Sequence, residues 1–72
     1  MNMQEILYHR LHGAICVTLG DMTDKQLDEM FSLFLELHID DKLAIEELCL
    51  YHNCTDFYTR IRQWRAETGT FG

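Results

Sequence analysis

The chain has 72 residues, close to the smallest size at which one hydrophobic core sustains a fold, so a single domain over 1–72 is expected. Apolar residues make up 47% of it and the formal net charge is −6, which excludes disorder by composition and disfavours non-specific binding to nucleic acid or anionic membrane. Three cysteines are an odd count without the dense framework of small secreted domains, and MNMQEILYHRLHG carries charge and histidine through its apolar stretch, unlike a signal peptide. A reduced, cytoplasmic protein with no membrane span is the reading that follows.

The pattern predicts an all-α fold, a small bundle of about four helices over about 3–19, 24–38, 41–52 and 56–67. Asn2 caps the first, along which Met3, Leu7, Leu11, Ala14 and Thr18 follow the three-and-four spacing, joined by Ile6, Ile15 and Val17, and Gly20 is placed to end it in the left-handed conformation. Gly13 in its middle costs about 1 kcal/mol relative to alanine, and leaves a break there open.

The second start is marked by MTDKQL. Thr23 caps, Gln26 reaches back to complete a capping box, and Met22 with Leu27 forms the hydrophobic staple. Leu27, Met30, Phe31, Phe34 and His38, widened by Leu33, Leu35 and Leu37, cover an apolar arc of about 200°, so this helix is either central or covered by another chain. Asp40 is the expected cap of the third helix, whose inner face is Ala44, Ile45, Leu48, Cys49 and His52, with Leu43 and Leu50 on the opposite side. Thr55 is the expected cap of the fourth, with Phe57, Ile61, Trp64 and Thr68 as its seam, Gly69 as its end and 69–72 as a frayed tail.

Between the last two helices stands CLYHNC, residues 49–54. Asn is the residue after glycine most willing to adopt the left-handed conformation, so Asn53 ends the helix and Cys54 packs on Cys49, as a Schellman ending requires. His52 then lies near the carbonyl end of the helix, where a cation-capable group is favoured. A zinc site needs a second pair of ligands, and His9 with His12 is the available one, so a metal alternative is His9, His12, Cys49 and Cys54. Their spacing matches no finger pattern, and no cofactor is expected.

The segment IEELCLYHNCTDFYTRIRQWR, 45–65, resembles a DNA-binding helix–turn–helix with an arginine-rich second helix, which implies DNA contacts by Arg60, Arg62, Gln63 and Arg65. The register departs from that motif: His52, Thr59 and Arg62 fall where it requires apolar residues. Catalysis has no support, since the chain lacks a nucleophile–base spacing, a phosphate-cradling glycine loop and a metalloprotease HExxH; it is expected not to be an enzyme.

What remains is surface. Nine of the twelve acids lie from Asp21 to Glu47 against two lysines. The expected protein-binding set is Asp28, Glu29, Glu36, Asp40, Asp41, Leu43, Glu46, Glu47 and Leu50, an apolar patch rimmed by acids that suits a partner with a basic surface or a homo-oligomer seam. The functional expectation is a small acidic regulator or stoichiometric inhibitor. By analogy of class alone, compact acidic helical chains of this length are typical of phage- or plasmid-encoded inhibitors of host machinery, anti-CRISPR proteins among them.

Overall fold

The computed structural model describes residues 2–18 and 22–69, and these form four helices: α1 (Met3–Val17), α2 (Asp24–Leu35), α3 (Ile39–Tyr51) and α4 (Thr55–Thr68). There is no strand among the described residues, and no helix among them is long and apolar enough to cross a membrane. The radius of gyration is 11.3 Å, against the ~11 Å that chain-length scaling expects for a tightly packed domain.

Each helix begins and ends for a reason visible in its neighbours. At the start of α1 the Asn2 side chain accepts from the Glu5 amide at 2.9 Å, and the helix continues unbroken through Gly13. Its buried residues are Leu7, Leu11 and Ile15, all from the expected apolar set, while Met3, Ile6 and Val17 of that set are left exposed. The expected ending at Leu19 and Gly20 lies outside the described residues.

The capping box of α2 is complete: the Gln26 amide donates to Thr23 Oγ1 at 3.2 Å and the Thr23 amide to Gln26 Oε1 at 2.9 Å. The helix stops at Leu35, not at His38, and α3 starts at Ile39, not at Asp41. The cap of α3 is His38, with extended backbone and no capping bond of its own side chain, while Asp40 and Asp41 occupy the first turn. The corner is closed from elsewhere. Gln4 of α1 accepts from the His38 amide at 2.8 Å and donates to the Glu36 carbonyl at 2.9 Å. The Lys42 ammonium donates to the Leu35 carbonyl at 3.1 Å and to that of Leu37. Burial lowers the Lys42 pKa from its ordinary value, and the ammonium stands 5.9 Å from the centre of the Phe34 ring and 5.8 Å from that of Trp64.

The α3–α4 corner follows the Schellman expectation. Asn53 has φ 56°, the Cys54 amide donates to the Cys49 carbonyl at 2.8 Å and the Asn53 amide to that of Leu50 at 3.3 Å. Cys54, not Thr55, is the residue before α4, and its carbonyl accepts the first helical bond from Tyr58. Gly69 ends α4 with φ 70°, its amide on the Arg65 carbonyl.

The helices α2 and α3 each pack on all the others, whereas α1 and α4 do not meet among the described residues. That arrangement explains the broad apolar arc of α2. Phe34 and Leu37 are buried, Leu27, Met30, Phe31 and Leu33 pack partly against the core, and Leu35 remains exposed. Phe34 is the hub: Phe31 stacks on it at 5.6 Å between centroids, and Phe57 and Trp64 meet it edge-on at 6.1 and 5.5 Å.

Candidate protein-binding surface

Two of the acids assigned to a binding rim enter ion pairs with α4. Asp28 pairs with Arg60 at 2.7 Å. Glu46 is buried on the α3–α4 contact, where its Oε1 receives Arg65 at 2.5 Å and lies 3.8 Å from Arg62. Its Oε2 has no hydrogen-bond partner among the described residues. These ion pairs tie α4 to α2 and to α3; burial withdraws Glu46 from the surface expected of it, while the Asp28 side chain remains 67% exposed beside Arg60. The other acids of the set do remain open. Glu29, Glu36, Asp40 and Glu47 are exposed, Asp41 is half-buried, and none of them enters an ion pair with a described residue.

Beside them runs an uncovered apolar strip on α3. Ile39, Leu43 and Leu50 are 47%, 40% and 55% exposed. At 3.6 residues per turn their side chains fall within about 40° of one another around the helix, and Glu47 borders the strip. Ile39 is absent from the expected set because the helix was predicted to begin two residues later. Once α3 starts at Ile39, the spacing of 39, 43 and 50 makes it a member.

The residues assigned to DNA are placed differently from an open basic face. Arg60 is on Asp28 with its guanidinium 5.2 Å from the centre of the Phe31 ring, Arg65 is held by Glu46, and Arg62 lies at the edge of the same carboxylate. Gln63 is exposed. A phosphate backbone would have to displace Asp28 and Glu46 to reach these cations, which offsets much of its attraction.

The metal alternative is not assembled. Cys49 and Cys54 are both fully buried against the core, His9 and His12 are exposed on α1, and no group of three or more His, Cys, Asp or Glu among the described residues is arranged to hold a metal ion. Burial, then the neighbouring Cys54 with its hydrogen bond and the charge of Glu46, push the Cys49 thiol up to about 12. It stays protonated and unreactive in the folded chain. His52 does not merely close its own helix. Its Nε2 lies 3.5 Å from Cys16 Sγ, which also stands 3.7 Å from His12 Nδ1, so this polar trio links α1 to the end of α3. Nothing in the local spacing of α1 pairs Cys16 with His52, 36 residues away.

Comparison with protein-family models, with curated proteins and with solved structures gave no match. The functional reading therefore rests on the surface itself.

Proposed function

We propose that this is a small acidic protein-binding regulator that docks, one to one, on a basic surface through the α3 strip. The supporting observation is the strip: Ile39, Leu43 and Leu50 uncovered on one helix face beside Glu47, with Glu36 and Asp40 at its start, exposed and in no ion pair with a described residue. Apolar contact at the centre supplies affinity, and the acids at the edge supply steering and partner choice. A partner with lysines or arginines around an apolar groove satisfies both. A second copy of this chain satisfies only the first, because a two-fold contact through the strip presents the same acidic border in place of a basic one. Stoichiometric inhibition follows where the occupied basic surface is one that the partner needs for nucleic acid, as in inhibitors of the anti-CRISPR kind.

The test is site-specific photo-crosslinking from Leu43 and Leu50 in cells of the native host, followed by titration of the recovered protein. One partner, bound one to one, is expected. The Leu43→Asp, Leu50→Asp double variant should bind at least about tenfold more weakly, the equivalent of ~1.4 kcal/mol, and added salt should weaken the wild-type complex. Equal binding by the double variant, or binding indifferent to salt, would remove this reading.

A further inference from the structure

Cys16 stands between two imidazoles, one from its own helix and one from across the bundle. His52 Nε2 lies 3.5 Å from its Sγ, and His12 Nδ1 lies 3.7 Å from the same sulfur. A thiol has one proton to give, so it serves only one of these rings as donor. The contact to His52 is the shorter and is partly buried, whereas that to His12 is exposed to competition from water. In the tautomer with its proton on Nδ1, His52 presents Nε2 as the acceptor, and the same tautomer of His12 donates to the sulfur from the other side. The sulfur thus has a base on one flank and a donor for developing negative charge on the other. Neither imidazole is committed to a carboxylate among the described residues.

Access selects the same thiol. Cys16 is half-buried, whereas Cys49 and Cys54 are sealed in the core. Gly13 lies one turn earlier on the same side of α1 and is exposed, and a Cβ added there would meet nothing within 4 Å. A small solute therefore approaches the sulfur over an unobstructed stretch of helix.

We propose that Cys16 is a modification site, a thiol that exchanges with low-molecular-weight disulfides with His52 as its base. Cys16 Sγ bonds to one sulfur of the disulfide as the S–S bond of that molecule breaks. The Cys16 proton passes to His52 Nε2 and from there to the departing thiolate. Cys16 is oxidised to a mixed disulfide and the other half of the reagent is reduced to a thiol, so no further oxidant enters. With the other two thiols sealed in the core, the product stays a mixed disulfide and does not become an internal bridge. It has no S–H, so the donor that joins α1 to the end of α3 is gone from the modified chain. The site does not depend on the protein-binding reading of the α3 strip.

The probe is bis(2-hydroxyethyl) disulfide, which carries no charge and is not steered by the acidic surface. Its reaction with the full chain near neutral pH is followed by intact mass and located by peptide mapping. One adduct is expected, on Cys16, formed at least about tenfold faster than on N-acetylcysteinamide in the same buffer. That is below the roughly 10²–10⁴-fold of a well-placed base, because half-burial slows the approach. His52→Gln keeps a hydrogen-bond acceptor but takes no proton, and should slow the reaction at least about tenfold. Continued protection of Cys49 and Cys54 in the same spectra shows that this variant is folded. His12→Ala should slow the reaction less, since water replaces an exposed donor. The comparison with N-acetylcysteinamide needs no variant at all. A wild-type rate no faster than that of the model thiol, a folded His52→Gln chain reacting as fast as wild type, or a larger loss in His12→Ala would each overturn the assignment.

Discussion

The Cys54 amide donates to the Cys49 carbonyl at 2.8 Å while both side chains are fully buried, so the ending of α3 and the start of α4 are one packed unit. The left-handed Asn53 between them makes this possible, with φ 56°. Asparagine tolerates that conformation and glycine tolerates it better, whereas a β-branched residue does not. Asn53→Gly is expected to leave stability within about 0.5 kcal/mol of wild type or slightly above it, and Asn53→Val to lower it by roughly 1–2 kcal/mol. Urea unfolding followed by circular dichroism measures both, and equal stability of the two variants would contradict the constraint.

The same burial sets the thiol chemistry. Cys49 is pushed from its ordinary 9.0 to about 12, and Cys16 is the half-buried thiol of the three. A thiol-specific disulfide reagent at pH 8 should therefore find one fast cysteine in the folded chain and three in denaturant. The pH dependence has a definite sign. Above pH 9.0 the unfolded chain loses the Cys49 proton while the folded chain keeps it up to about 12. The unfolded state then binds fewer protons, so stability falls progressively across that window and this contribution is fully present below it. Cys49→Ala should flatten the fall, and an unchanged slope would show that another group titrates there.

Glu46 and its two arginines separate a deep ion pair from a shallow one. Arg65 is 22% exposed and sits at 2.5 Å, whereas Arg62 is 55% exposed at 3.8 Å. Removing the carboxylate takes the 2.5 Å ion pair from a mostly buried guanidinium, so Glu46→Ala should cost about 2–4 kcal/mol. Arg62→Ala should cost less than ~0.5 kcal/mol, as a solvent-screened pair does. Comparable losses in the two unfolding curves would mean that Arg62 is the true partner.

What could be read from the sequence divides along sequence separation. The capping box at Thr23, the left-handed Asn53 and the end at Gly69 are each decided by residues within about five positions, and each stands where the spacing put it. The start of α3 is decided by Gln4, 34 residues from His38, so the local signal at Asp40 misled by two residues and hid Ile39 from the strip. The acids behave alike. Asp28 meets Arg60 32 residues away and Glu46 meets Arg65 across 19, and nothing local distinguishes these two from Glu29 and Glu47, which stay open. A surface inventory made from composition counts acids correctly and cannot say which of them the fold consumes.

Gly13 offers a measurement of intrinsic helix cost free of packing. A Cβ built there meets no atom within 4 Å, and the helix runs straight through it with ordinary backbone angles. Gly13→Ala should stabilise by roughly 0.5–1 kcal/mol and raise the melting temperature by about 2–8 °C for a domain of this size. A loss of stability would show that the open face of α1 is covered in solution.

Gln4 tests whether the α2–α3 corner is held from outside. Its side chain satisfies the His38 amide at 2.8 Å and the Glu36 carbonyl at 2.9 Å, two groups that the helix ends themselves leave unpaired. Both bonds are solvent-exposed, so water replaces them in part and Gln4→Ala should cost about 0.5–1.5 kcal/mol. Gln4→Glu should cost more than that, because a carboxylate still accepts from His38 but repels the Glu36 carbonyl instead of donating to it. Hydrogen exchange at the His38 amide is the direct reading, and it should quicken in Gln4→Ala while Gln4→Glu retains protection. If His38 exchanges at the same rate in all three proteins, the corner is held by Lys42 alone.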